Sequence, residues 1–287
     1  MAEKKNSGVI NTSFPLKGMG NTLYIVKIGG NIIDDEQKLE HFLKQFAAIG
    51  TKKILVHGGG KLATKLAEQM KVPQRMIEGR RITDAETLKI VTMVYAGYIN
   101  KNIVAQLQAL ECNAIGISGA DGNAILAHKR TSKNNSPGNV AIDYGFAGDI
   151  DNINIPLFQS LLEQSISLVI APITHDKKGQ LLNTNADTIA QEIAKGLSGC
   201  FDVTLIYSFE KEGVLLDAND DNSVIREIDP GSYKDLKQKQ LVFAGMIPKL
   251  DNAFSALQSG VKKVIIGKAE NLHDLIKGTS GTTIVNE

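Results

Sequence analysis

Only two cysteines, Cys112 and Cys200, occur in 287 residues, and they stand far apart with no metal-ligand spacing around them. That argues against a disulfide framework and against a cysteine zinc site, and it favours buried reduced thiols in a cytoplasmic protein. The five histidines, at 41, 57, 128, 175 and 273, form no H-x-x-x-H pair, so no metal-binding residues are expected. Neither sign of charge is in excess. A net charge of +1 leaves no bulk electrostatic case for nucleic acid or an anionic membrane. No apolar run reaches transmembrane length. The opening M-A-E-K-K-N-S-G lacks the apolar core of a signal peptide, and residues 1–21 read as a polar leader. What remains is ordinary for a soluble globular chain, with 43% hydrophobic and 22% charged residues. The length suits one large or two medium domains with a sizeable core.

After the leader the pattern alternates. Strands are expected at 23–28, 53–56, 114–117, 167–171, 203–207, 263–266 and 282–285. Helices are expected at 37–49, 61–70, 83–110, 186–196 and 247–259, and another is capped by Asn154-Ile155-Pro156. Thr83-Asp84-Ala85-Glu86 reads as a capping box. Residues 130–139 read as the exposed turn of a hairpin. This alternation predicts an α/β fold, a three-layer sandwich with a largely parallel central sheet. In such sheets ligands sit beyond the C-terminal strand ends. Four stretches fall there: K-I-G-G-N (27–31), H-G-G-G-K (57–61), S-G-A-D-G-N (118–123) and N-T-N-A-D (183–187).

The lysine of V-H-G-G-G-K (56–61) suggests a P-loop, but the spacing fails. Leu55 stands where the first glycine belongs and Leu62 where the hydroxyl residue belongs. Contiguous Gly58, Gly59 and Gly60 also lack the dinucleotide spacing. A strand-to-helix junction of bare amides remains, either an anion site or simply a tight turn. Gly29-Gly30 forms a second such loop, and two loops at neighbouring strand ends suit a group passed between two ligands. Lys27 lies in an apolar strand, where burial is costly without an anionic partner; the alternative is an edge lysine in solvent. Lys249, in G-M-I-P-K (245–249), falls in the first turn of a helix. The dipole disfavours a cation there, so a nearby anion is expected unless the lysine is simply solvated. N-T-N-A-D reads equally as a plain N-cap.

K-I-G-G, H-G-G-G, G-R-R-I-T, N-T-N-A-D and G-M-I-P-K, in this order, resemble the amino acid kinase family, in its acylglutamate branch. The resemblance runs from about Leu23 to the C-terminus. It implies ATP-dependent phosphorylation of the γ-carboxylate of N-acetyl-L-glutamate, a step of arginine biosynthesis, with Mg²⁺. It implies that Lys27 and Lys249 bind the transferred phosphoryl group and that Asp187 orients both. Gly29 and Gly30 would hold the phosphoryl group, while Gly58, Gly59, Arg81 and Asn183 would hold the acceptor. It further implies an acyl-glutamate lobe at 22–196 and an ATP lobe at 197–287, joined by one continuous sheet. A homodimer is expected, because the leader lacks a convincing amphipathic helix of the kind that builds hexamers.

Three departures from the family pattern stand out. Lys61 replaces a usual proline, Ala244-Gly245-Met246 replaces Gly-Gly-Met, and I-Y-S-F-E-K-E-G-V (206–214) replaces L-T-D-V-x-G-V. Lys61 beside the acceptor loop leaves a succinyl acceptor open, with Lys61 or Arg80 answering its extra carboxylate. A silent ligand sensor is the reading from another class, opposed by the retention of Lys27, Asp187 and Lys249. A dinucleotide-dependent oxidoreductase lacks its fingerprint.

Overall fold

Leu23, Ile25, Val26 and Ile28 are all buried, as a strand covered on both faces requires. The structure is a computed structural model and describes residues 21–77, 80–131, 142–217, 220–239, 241 and 246–286. Most of the expected leader, the tip of the 130–139 turn and Ala244-Gly245 lie outside the described residues.

The chain begins with β1 (Thr22–Ile28), α1 (Gly30–Ile33), α2 (Glu36–Ala47), β2 (Lys52–His57) and α3 (Gly60–Gln69). A short hairpin follows, β3 (Arg75–Ile77) and β4 (Arg80–Ile82). One helical run then comprises α4 (Ala85–Thr92), a wider π-helical segment (Met93–Ile99) and α5 (Asn100–Ala109). Next come β5 (Ala114–Ile117), β6 (Ile125–Lys129), β7 (Ala147–Ile153), α6 (Ile155–Glu163), β8 (Ser167–Ile170), β9 (Ile173–His175) and β10 (Leu181–Thr184). The last third holds α7 (Ala186–Leu197), β11 (Asp202–Phe209), β12 (Val214–Leu215), β13 (Val224–Ile225), β14 (Glu227–Ile228) and α8 (Pro230–Gln238). It ends in α9 (Ile247–Gln258), β15 (Lys263–Lys268), α10 (Leu272–Lys277) and β16 (Thr282–Ile284).

Eight strands form one sheet in the order β14-β16-β15-β11-β1-β2-β8-β5, parallel except between β15 and β16. Alternation along the strands divides the core by sheet face. Leu23, Ile25, Ile54 and Val56 pack under α6, α7 and α9. Val26, Ile28 and Leu55 pack under α2, α3, α4, α5 and α10. Phe42, Phe46 and Phe158 are wholly buried, and each such side chain contributes about 1.5–3 kcal/mol. Both clusters draw on the whole chain, so the sheet ties its halves together. No helix among the described residues is long and apolar enough to cross a membrane.

Two features differ from the sequence reading. The cap of α4 is Asp84, which accepts the Thr87 amide at 2.8 Å. Thr83 is instead extended and buried, and its hydroxyl donates to the Arg81 carbonyl at 3.0 Å. The flanks of the 130–139 turn do pair antiparallel as β6 and β7, but they belong to a closed four-stranded barrel with β9 and β10.

Candidate active site

Period-two alternation places Lys27 on the same face as Leu23 and Ile25, which is the face that α7 covers. The N-terminus of α7 lies there. Asn185 caps it, accepting the amides of Asp187 at 2.9 Å and Thr188 at 3.1 Å. The cap fixes Asp187 in the first turn, and its carboxylate meets the Lys27 ammonium at 2.8 Å. Burial alone would raise the Asp187 carboxyl, but Lys27, Lys249 and Arg80 together hold it below the ordinary carboxylate value. Lys249 sits in the first turn of α9, and its ammonium lies 4.7 Å from the centroid of the Phe209 ring. Burial pushes Lys249 below its ordinary 10.5 and Lys27 adds to that, while Asp187 opposes it.

The two glycine loops meet backbone to backbone. The Gly58 amide donates to the Ile28 carbonyl at 3.1 Å. A Cβ on Gly58 would lie 3.8 Å from the Gly30 nitrogen, and one on Gly30 would lie 3.9 Å from the Gly60 nitrogen. Gly59 has φ +150, and a Cβ there would collide with Ile99 Cδ1, so only glycine makes this turn.

Arg81 is buried behind the second loop. Its Nη2 donates to the Gly60 carbonyl at 3.0 Å and to Thr64 Oγ1 at 2.9 Å, and Nη1 donates to Gln74 Oε1. Asn183 is free of the capping duty that Asn185 performs. It donates to Thr83 Oγ1 at 3.0 Å. The stretch S-G-A-D-G-N (118–123) closes on itself: Asp121 Oδ2 accepts the Ser118 amide at 2.6 Å and its hydroxyl at 2.8 Å.

The lysines, Asp187, Arg81 and the glycine loops line two adjoining spaces. The larger cleft, about 720 Å³, takes in Lys61, Ser208, Phe209 and Lys249. The smaller chamber, about 220 Å³, takes in Gly58, Gly59, Arg80 and Asn183. Lys27, Gly29, Gly30, Arg81 and Asp187 line both. Lys61 lines the larger cleft and not the chamber. Among the described residues no group of three or more His, Cys, Asp or Glu side chains is placed to hold a metal ion.

Sequence reasoning left His57 and Asn100 without a role. His57 is wholly buried, and its Nδ1 donates to the Gly58 carbonyl at 2.8 Å. Nε2 therefore carries no proton and accepts from Asn100 Nδ2 at 3.2 Å. Asn100 also donates to the Val169 carbonyl at 3.0 Å. This network fixes the start of the glycine loop from behind. Burial pushes His57 from 6.5 down to about 4. Between those values the unfolded chain binds a proton that the folded protein refuses. The contribution of His57 is thus full above about 6.5 and is lost as pH falls toward about 4, by roughly 3 kcal/mol in all. Urea unfolding across that window is expected to show a shallower loss in His57→Gln than in the wild type; equal slopes would assign the loss to other groups.

Residues 22–268 match the model of the amino acid kinase family. The chain is 54% identical over 265 residues to an acetylglutamate kinase of Cytophaga hutchinsonii, covering 92% of this chain and 98% of that one. It is 53% identical over 251 residues to an acetylglutamate kinase of Parabacteroides distasonis, covering 88% and 96%. A crystal structure of a Streptococcus mutans protein superposes with a TM-score of 0.73 at 26% identity, covering 92% of this chain and 99% of that one. With this sheet, these paired glycine loops and these relatives, the chain belongs to the amino acid kinase family.

Proposed function

We propose that the protein transfers the γ-phosphoryl group of ATP to the γ-carboxylate of N-acetyl-L-glutamate, a step of arginine biosynthesis. The observation that carries this reading is the convergence of Lys27, Asp187, Lys249 and two glycine loops where a larger cleft meets a smaller chamber. The named relatives support the acceptor. The acceptor carboxylate is already ionised at neutral pH and needs no general base. The chemical problem is the repulsion of two anions. Lys27, Lys249 and the amides of Gly29 and Gly30 offset the charge on the transferring group, and Mg²⁺ brought in with the nucleotide would add positive charge there. Asp187 keeps Lys27 in place. Gly58, Gly59, Arg81 and Asn183 hold the acceptor in the chamber. Residues 22–196 form the acceptor lobe and 197–287 the ATP lobe, and the reaction is placed in the cytoplasm.

An ADP-release assay with N-acetylglutamate, N-succinylglutamate, glutamate, aspartate and UMP tests this. N-acetylglutamate gives the highest kcat/KM. Turnover of another acceptor in its place would overturn the assignment, and silence with all five would point to a ligand sensor.

The protein works as a homodimer in this proposal. β5 is an edge strand, and Ile115 on it is 40% exposed. Exposed Met93 and Tyr98 lie on the helical run whose α5 packs against β5. An uncovered apolar edge is a pairing surface. Sedimentation equilibrium is expected to give twice the 31.0 kDa chain mass for the wild type and the single mass for Ile115→Arg. A monomeric wild type would sink the dimer.

A further inference from the structure

Lys27 and Lys249, both lining the cleft, are held by different devices. Lys27 has a carboxylate partner at 2.8 Å. Lys249 lies in the first turn of α9, where the helix dipole repels a cation, and burial disfavours its charge further. Among the described residues no carboxylate lies within ion-pair distance of it, and Asp187 acts on it only through space. What touches its ammonium is an aromatic ring, with the Phe209 centroid 4.7 Å from Nζ.

Phe209 is the last residue of β11. Val203, Leu205 and Tyr207 face the core under α7 and α9, and alternation sends Phe209 to that same side, where it packs against the same cluster. Ser208 points to the other side and is buried. A shift of one residue would exchange them and take the ring off Lys249.

We propose that Phe209 is a positioning residue for Lys249, its ring face holding the ammonium in the cleft. The inference rests on Lys249 acting as a phosphoryl-binding cation. Physical chemistry favours a ring here over a second carboxylate. The ring quadrupole attracts the cation without carrying net charge. A carboxylate would take up N–H donors that phosphoryl oxygens need, and would add a negative charge beside a polyanion. Asp187 already supplies the one carboxylate that anchors Lys27. The ring leaves the ammonium charged, placed and available.

Fluorinated phenylalanines at position 209 test this, because fluorine drains the ring face of negative potential at nearly constant shape. Along mono-, di- and trifluoro-phenylalanine, kcat falls stepwise, by roughly tenfold in total. The KM for the acceptor stays within about twofold, since the chamber is untouched. The ring favours the protonated lysine, so its weakening lowers the Lys249 pKa. The alkaline limb of kcat/KM then moves to lower pH along the series. Phe209→Leu behaves like the end of the series, and Phe209→Tyr restores activity. Lys249→Met serves as the control. A flat fluorination series with a crippled Lys249→Met removes the role of Phe209 and leaves the proposed function standing. A near-normal Lys249→Met removes both.

Discussion

Lys27→Met and Lys249→Met each lower kcat by on the order of 10²-fold or more, and change the acceptor KM far less. The expectation follows from where the two cations stand. Both line the cleft, and Lys27 also lines the chamber. In the proposed reaction charge moves from ATP to the acceptor beside these two cations, so their expected worth is greatest in the transition state and smaller in the ground state. The two variants differ in a second respect. Lys27 directly pairs with Asp187, whereas Lys249 reaches that carboxylate only through space. Lys27→Met therefore leaves a carboxylate that has lost its hydrogen-bonded partner, and Asp187→Asn in the same chain relieves part of the damage. No such relief is expected for Lys249→Met. Rapid-quench single turnovers separate the chemical step from product release and supply the kcat that matters. Near-normal single-turnover rates in both variants would remove the phosphoryl-binding role.

The expectation that Asp187 orients both lysines meets a structure in which it grips one. The reason lies in topology. β1 brings Lys27 directly over the start of α7, which is a neighbour on the same sheet face. Lys249 arrives on α9, on which nothing in its own sequence names a partner. Its contact with Phe209 joins two distant segments, and only their packing sets the distance. The glycine loops were legible because each motif is local. A strand end, a bare backbone and a helix start lie within a few residues of one another. N-caps were legible for the same reason, and Asn154 caps as read. The cap before α4 slipped by one because Thr83 and Asp84 are both competent, and burial of Thr83 decided between them. The hairpin β3–β4 was missed because three-residue strands show no period. The His57–Asn100 network was hidden too. Its sequence sign was one histidine among glycines, and its partner lies on a helix whose register the sequence leaves open.

Arg81→Lys raises the KM for the acceptor by on the order of 10-fold to 10²-fold and leaves the KM for ATP nearly unchanged. The Arg81 guanidinium is tied to the Gly60 carbonyl, Thr64 and Gln74, all neutral acceptors. Its orientation is set before any substrate arrives, and its charge is spent on no carboxylate among these partners. A carboxylate entering the chamber meets a planar, oriented cation whose Nη2 hydrogens are already placed on Gly60 and Thr64, and it bonds to the donors that remain. Lysine offers one point charge on a flexible stem and cannot hold Gly60, Thr64 and Gln74 at once. The loss is therefore twofold, in the fork itself and in the loop that the fork braces. Gly59 in that loop already occupies a conformation that only glycine adopts, so slack there is transmitted directly to the chamber. Arg80 provides the control. It lines the chamber and acts electrostatically on Asp187, so Arg80→Lys, which keeps the charge, changes acceptor affinity less. A strong acceptor effect at Arg80 with none at Arg81 would exchange their roles. A rise in the ATP KM at Arg81 would move it to the nucleotide side.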